Sequence, residues 1–446
     1  LKKDVPHILL VNPWIHDFAA YDFWARPLGL LYLAAFLRRE GLAVGYVDCL
    51  DRFHPRAPAA DPGARYGRGP YRKTPIAKPP GLRHIPRTYS RYGIDPAWLA
   101  EDLARQPAPD LVLVTSMMTY WYPGVRETIA HLKAHFADVP VVLGGIYATL
   151  CRDHARRHSG ADAVFAGQGE GLLPQILSEY IGCGKMRATD PADLDAYPFP
   201  ALDLQRRIAF APLLTTRGCP FSCAYCASGV LEPVMRRRGT ASVMAEIRYW
   251  HDRCGVRDFV FYDDALLVDA PHHAIPLFEA IAGSGLRLRF HTPNAVHVRE
   301  ISRDVARLMH RIGFRTLRLG VETADFGPDR RLDGKLGRED FRRAVAHLQD
   351  AGFASGQVGA YLLAGLPGQR WQEVARSIEA VRASGITPVI AHYTPIPHTA
   401  LWPEACRCSR YDLAADPVFT NNAISPCRPG GFSWRELSRL KRLAHA

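Results

Sequence analysis

Three cysteines stand within eight residues of one another, in Cys219-Pro-Phe-Ser-Cys223-Ala-Tyr-Cys226, and the other seven lie elsewhere in the chain. Thiolates are soft ligands that suit iron–sulfur clusters and zinc. A structural zinc site needs a fourth ligand. The next candidates, His251 and Cys254, fall beyond a predicted helix. Three thiolates are what a four-iron cubane takes when one iron is left open to a small molecule. An iron–sulfur site is therefore the leading expectation, with zinc or an inert thiol group as the alternatives. Ten cysteines in 446 residues is far from the density of a disulfide scaffold, so a reducing, cytoplasmic setting is expected.

Other residues able to do chemistry sit where short apolar runs end. Asp263 and Asp264 close the run Asp258–Tyr262, Glu322 follows Thr316–Val321, and the turn Ala364-Gly365-Leu366-Pro367-Gly368 follows Gln357–Leu363. Both aspartates could instead cap the next helix. A carboxylate such as Glu322 at an apolar strand end needs a donor, which favours a ligand contact. Tyr393, Thr394 and Pro395 close the last run and are placed in a substrate region. Arg236-Arg237-Arg238 could balance an anion or form a solvated charge run. His272 and His273 read as helix-opening surface residues, and Cys406, Cys408 and Cys427 as buried or incidental thiols.

Positioning these residues takes two α/β series. In residues 1–182 the runs His7–Val11, Leu42–Asp48, Asp110–Ser116, Val139–Leu143 and Ala163–Ala166 alternate with helical patterns, one opened by Pro27. Short, fully apolar strands separated by helices imply a parallel sheet covered on both faces. Proline-bearing residues 183–210 read as a linker. Six further βα units across 211–395 imply a barrel-like sheet, with glycines 255, 313, 352 and 385 ending four of its helices. Residues 396–446 read as a capping region, with a last helix at Trp434–Ala446.

The net charge is +12, and residues 52–92 hold ten basic side chains against one acidic, with eight prolines and four glycines. Such a stretch reads as an inserted arm, not a packed element. Its tyrosines 66, 71, 89 and 92 could stack bases, but an arm wrapping its own domain is the expectation, and nucleic acid is not an expected partner. No window is long and apolar enough to span a membrane. The opening Leu1-Lys2-Lys3-Asp4 leads straight into a strand, so no secretion signal is expected.

Cys219-x₃-Cys223-x₂-Cys226, with its lead-in Thr216-Arg217-Gly218, resembles the signature of radical S-adenosylmethionine (SAM) enzymes. The resemblance implies a partial (β/α)₆ barrel and a [4Fe-4S] cluster held by the three cysteines. It also implies SAM bound near Tyr225, Asp263, Asp264, Glu322, Gly365 and Pro367. Residues 1–182 resemble the Rossmann-like cobalamin-binding domain fused ahead of that barrel in one class. The motifs are Pro27-Leu28-Gly29-Leu30, Ser116-Met-Met-Thr119, Gly144-Gly145-Ile-Tyr147-Ala-Thr149 and Gly167-Gln-Gly169-Glu170. Trp14 and His16 fall in the loop after the first strand. That loop lacks the Asp-x-His-x-x-Gly pattern of histidine-ligating cobalamin proteins, although His16 or Tyr147 could approach the lower face.

The resemblance implies methylation of an unactivated carbon of a small molecule, using methylcobalamin and a 5′-deoxyadenosyl radical. An external reductant such as flavodoxin or ferredoxin would supply the electron. Oxidation, cyclisation or ring rearrangement with the same cofactors is the alternative, and a non-catalytic cobalamin and iron–sulfur binding or sensor protein is another.

Overall fold

The computed structural model describes residues 5–182, 190–324, 326, 332, 336–427 and 432–445. The chain divides into two compact units. One comprises Leu1–Ala209 with Ala415–Ile424, the other Phe210–Ala414 with Ser425–Ala446.

The first unit is built on a parallel sheet of β1 (His7–Asn12), β2 (Ala43–Asp48), β3 (Leu111–Val114), β4 (Val141–Leu143) and β5 (Ala163–Val164), in the order β2-β1-β3-β4-β5. Every residue of β1, β3 and β4 is buried, as a strand covered on both faces requires. Helix α1 (Leu28–Arg39) follows Pro27 and buries Leu30, Leu31, Ala34 and Leu37 on one stripe. Ligand crevices in such sheets open at the C-terminal strand ends, where the order reverses; here that point lies between β1 and β3.

The basic stretch differs from its expected form. Lys73–Pro75 and Ser90–Tyr92 pair antiparallel with each other, and Ser90–Tyr92 also pairs with Ile15–Asp17. Tyr71, Leu82, Ile85, Tyr89 and Tyr92 are buried. The segment adds two strands of a packed three-stranded sheet to its own unit, and three of its four tyrosines face inward instead of toward a base. Apolar residues spaced among the prolines supply this small core, a signal that composition averages away. Residues 190–209 are likewise packed: Leu202 is buried, Ala201 N–H donates to the Leu31 carbonyl at 3.0 Å, and Arg38 pairs with Asp203 at 2.7 Å. Residues 183–189 of the expected linker lie outside the described residues, as do residues 428–431 and 446 of the expected cap.

The second unit carries β6 (Ala211–Leu213), β7 (Asp258–Phe261), β8 (Arg289–His291), β9 (Phe314–Glu322), β10 (Val358–Ala364) and β11 (Thr387–His392). They form one six-stranded sheet in sequence order, with every pairing parallel. This is the expected partial barrel. On the face that the helix Ala274–Gly283 covers, Phe259, Phe261, Phe290 and Phe314 of the sheet pack with Phe278 of that helix, neighbouring ring centroids lying 5.5–6.3 Å apart. Each buried ring contributes roughly 1.5–3 kcal/mol of apolar burial. Helices cover the outside.

One helix shows how sequence sets these limits. Ser302 Oγ accepts the Val305 N–H at 3.2 Å and opens Arg303–Ile312, which buries Val305, Ala306, Met309 and Ile312. Gly313 ends it in the left-handed conformation, at φ 94°. Gly255, Gly352 and Gly385 also have positive φ, as their positions predict. The helix Ala274–Gly283 opens directly after His272 and His273, as expected, with Pro276 in its first turn, but His273 is buried instead of lying at the surface. Among the described residues no helix is long and apolar enough to cross a membrane.

Candidate functional site

The cysteine loop leaves β6 through Thr215 and Thr216. Thr216–Arg217 pairs antiparallel with Arg236–Arg237, so a short ribbon closes the loop. Gly218 lies inside it at φ 79°, and a Cβ there would stand 2.8 Å from the Val234 carbonyl oxygen. Only glycine accommodates both the left-handed backbone and that approach. Ala224 N–H donates to the Leu332 carbonyl at 2.8 Å, and the Ala224 carbonyl accepts Leu401 N–H at 2.9 Å.

The adjacent aspartates do different work. Asp263 is buried, and its Oδ1 accepts the backbone N–H and hydroxyl of both Thr215 and Thr216, at 2.5–3.0 Å. His273 is also buried, and its Nε2 lies 2.9 Å from Thr215 Oγ1. Burial pushes the Asp263 carboxyl up to about 6 and the His273 imidazole down to about 4. Asp263 thus anchors the root of the cysteine loop through Oδ1, while its buried Oδ2 has no hydrogen-bond partner among the described residues. Asp264, one residue on, is exposed and accepts from Ser228 Oγ at 2.8 Å.

Cys219, Cys223 and Cys226 line one cavity of about 180 Å³, together with Phe221, Tyr225, Ser228, Asp264, His297, Gly320 and Glu322. All of these groups come from the C-terminal ends of barrel strands. Ser228 N–H donates to Cys226 Sγ at 3.4 Å, and its hydroxyl lies 3.2 Å from the same sulfur. His297 Nε2 lies 3.8 Å from Cys219 Sγ. Three cysteine thiols around one cavity, two with nearby donors, fit a cluster held by thiolates. Glu322 carries φ 62°, and the β9–β10 register shifts between Gly320 and Glu322. A left-handed glutamate costs about 1–3 kcal/mol and marks functional positions.

The fifth-strand turn is separate from this cavity's lining. Gln369 Oε1 accepts Gly365 N–H at 2.8 Å and Leu366 N–H at 3.2 Å, while its amide donates to the Leu363 carbonyl. Pro367 is half-buried and a Cβ on Gly365 would meet nothing within 4 Å, so open space lies beside the turn. Tyr393 is buried, with its N–H on the Ala364 carbonyl, while Thr394 is half-buried and Pro395 buried. The three arginines are paired with protein carboxylates: Arg236 with Glu232 at 2.6 Å, Arg237 with Asp269 at 2.7 Å and Arg238 with the buried Glu246. They do not form a free anion site. Cys427 is buried and donates toward the Ala405 carbonyl at 3.7 Å, with its thiol pushed up to about 12 by burial; Cys408 is exposed.

In the first unit the loops after β3, β4 and β5 are stitched together. Ser116 Oγ donates to the Gly144 carbonyl at 2.6 Å and accepts from Ala148 N–H. Thr149 Oγ1 donates to the Gly145 carbonyl at 2.8 Å and accepts Gly167 N–H at 3.0 Å. A Cβ on Gly145 would sit 2.3 Å from the Ser116 carbonyl oxygen, whereas one on Gly144 would meet nothing within 4 Å. Met118 is 42% exposed beside them, and Gly167 is exposed. An open, glycine-edged rim at the sheet's C-terminal side fits a large planar cofactor whose amides and phosphate take backbone donors.

Gly169 and Glu170 begin the helix after β5 and are half-buried. Leu28, Trp14, His16, Thr119 and Tyr147 are instead built into the unit. Trp14 Nε1 donates to the Ile94 carbonyl at 2.9 Å, and His16 Nε2 pairs with Glu127 at 2.7 Å. Tyr147 Oη lies 2.7 Å from His154 Nδ1, and Thr119 Oγ1 lies 3.2 Å from Thr420 Oγ1. With their polar atoms turned to protein partners, His16 and Tyr147 support the rim instead of presenting themselves to a lower face.

Sequence reasoning passed over His297, Ser228 and Thr215, and it placed Ala415–Ile424 in the capping region, whereas that segment belongs to the first unit. Ser228, two residues beyond Cys226, was within reach of a search for donors beside the trio. His297 carries no spacing signal and is brought in by sheet neighbours.

Two family patterns match the chain: the Radical SAM superfamily over residues 213–397 and the B12 binding domain over residues 94–177. The chain is 26% identical over 391 residues to an uncharacterized methyltransferase of Pyrococcus horikoshii, covering 78% of this chain and 82% of that protein. It is 22% identical over 438 residues to cytidylyl-2-hydroxyethylphosphonate methyltransferase of Streptomyces wedmorensis, covering 84% and 76%. Its fold resembles the radical SAM methyltransferase TsrM of Kitasatospora setae, solved with cobalamin and a [4Fe-4S] cluster. The TM-score is 0.65 at 18% identity, over 91% of this chain and 75% of that one. It also resembles the cobalamin-dependent SAM radical enzyme OxsB, with a TM-score of 0.59 at 13% identity, over 94% of this chain and 58% of that one. At these identities the structural likeness is one of fold.

Proposed function

We propose, for a chain whose residues 213–397 match the Radical SAM superfamily and whose residues 94–177 match the B12 binding domain, that it is a cobalamin-dependent methyltransferase acting on an unactivated carbon of a small molecule. The observation that carries the reading is the single cavity where Cys219, Cys223 and Cys226 meet Tyr225, Asp264 and Glu322. When bound, the cluster and SAM supply one-electron bond cleavage and hydrogen-atom abstraction, and cobalamin supplies the methyl carrier.

The chain's own residues bind and orient. The three cysteines would hold the cluster, with the Ser228 backbone N–H donating to Cys226. Asp264 and Glu322 would receive the ammonium and ribose hydroxyls of SAM, whose donors suit carboxylates. Asp263 would keep the cysteine loop in register through Thr215 and Thr216. The rim of Ser116, Gly144, Gly145, Thr149, Gly167, Gly169 and Glu170 would seat cobalamin, with Thr119, Trp14, His16, Leu28 and Tyr147 packed in support. Gly365 and Pro367 would border the adenosyl group, and Tyr393, Thr394 and Pro395 the substrate. Exclusion of water and fixed positioning are the protein's main contributions to such chemistry. The electron would come from an external reductant such as flavodoxin or ferredoxin.

The test is anaerobic reconstitution with iron and cobalt assays, and with 5′-deoxyadenosine and S-adenosylhomocysteine quantified together. Wild type should carry one cluster and one cobalt per chain and form both products with its substrate. Cys223→Ala should lose the iron and 5′-deoxyadenosine while keeping cobalt. Formation of 5′-deoxyadenosine without S-adenosylhomocysteine would replace methyl transfer by oxidation or ring chemistry. An iron-free wild-type chain would overturn the reading.

A further inference from the structure

The cavity holds a nitrogen donor that no part of the three-cysteine pattern encodes. His297 lies between β8 and the helix Arg303–Ile312, on a stretch tied to β9. Val296 N–H donates to the Arg318 carbonyl at 2.8 Å, and the Val296 carbonyl accepts Gly320 N–H at 3.1 Å. Val296 and Val298 are buried, so extended alternation turns the intervening side chain the other way, toward the cysteine loop. There the imidazole packs on Phe221, itself within the cysteine loop, at a centroid distance of 4.6 Å and 34° between planes. Its Nε2 stands 3.8 Å from Cys219 Sγ.

We infer that His297 donates a hydrogen bond from Nε2 to the Cys219 thiolate and thereby raises the reduction potential of the cluster. The inference rests on the iron–sulfur reading of the trio. A cluster thiolate has no proton to give, so the histidine must carry a proton on Nε2 to make this contact. A hydrogen bond to a cluster sulfur favours the reduced, more negative state, which moves the potential upward. Phe221 fixes the ring plane, so the donor is held in place before the cluster is reduced. In this role His297 is a positioning and tuning residue; it neither ligates iron nor touches substrate.

The test is an EPR-monitored redox titration of the reconstituted chain, with iron and sulfide content measured on the same samples. His297→Phe should keep a full cluster but show about a tenfold lower reduced-to-oxidised ratio at a fixed potential, about 59 mV for one electron. His297→Gln, whose amide retains a donor, should titrate close to wild type. A fully loaded His297→Phe with the wild-type midpoint would overturn the inference while leaving the proposed function intact. Loss of iron from His297→Phe would also overturn it, by making the residue one of assembly. A wild-type chain without iron would sink both readings.

Discussion

Asp263 and Asp264 are neighbours in sequence with opposite fates. One turns inward to four donors from Thr215 and Thr216; the other reaches the cavity that holds the cysteines. The pair was legible as chemistry-bearing, but their division of labour depends on where Thr215 and Thr216 lie across the sheet. Burial raises the Asp263 carboxyl from 3.8 to about 6, so the charged form is the costlier one in the fold. Its contribution to stability is therefore complete below about pH 4 and is lost as the pH rises through about 6. Asp263→Asn should remove that dependence. Urea unfolding should show the variant gaining on wild type by up to ~3 kcal/mol between pH 4 and 7. A difference that stays flat with pH would show that the carboxyl titrates normally.

At the scale of elements, the central strands were easy to read because both sheets bury them on two faces. Runs such as Leu111–Val114 and Val358–Ala364 carry almost no polar residue. The glycine loops after β4 and β5 were equally visible, but which glycine is structural and which borders open space was not. Gly145 at φ 96° lies against the Ser116 carbonyl, while Gly144 faces space. Gly145→Ala should destabilise the first unit by at least ~2 kcal/mol and impair cobalamin uptake. Gly144→Ala should stay within ~1 kcal/mol of wild type while still weakening cobalamin binding, a contrast that calorimetry and optical titration can read. The packed strands within residues 52–92 escaped notice because they are three residues long and hidden among prolines.

The whole chain holds one arrangement that no local pattern announces. Residues Ala415–Ile424 belong to the first unit, although the sequence around them builds the second. Val418, Thr420, Asn421 and Ile424 are buried there. Asn421 Nδ2 donates to Asp17 Oδ1 at 2.8 Å, beside Trp121 Nε1 on Oδ2 at 2.6 Å, and Tyr122 Oη donates to Asp416 at 3.0 Å. Burial already raises the Asp17 carboxyl. Asn421→Ala leaves that carboxylate one donor short, at a cost of about 1–3 kcal/mol. The loss should appear in denaturant unfolding of the first unit, whose contiguous sequence ends more than two hundred residues earlier. An unchanged midpoint would mean that the segment is dispensable to that unit.

The sequence by itself determined the thiolate trio and the two α/β series, and the cofactors followed from the family its motifs resemble. Thiolate spacing within one loop and the two-sided burial of short strands are local properties, written in neighbouring residues. Tertiary structure alone decided which residues meet. It drew His297 to Cys219, turned His16 and Tyr147 away from the rim, and returned Asn421 to Asp17. Such contacts depend on the direction of a side chain and on partners far away in the chain. Packing sets both only after the sheets have formed.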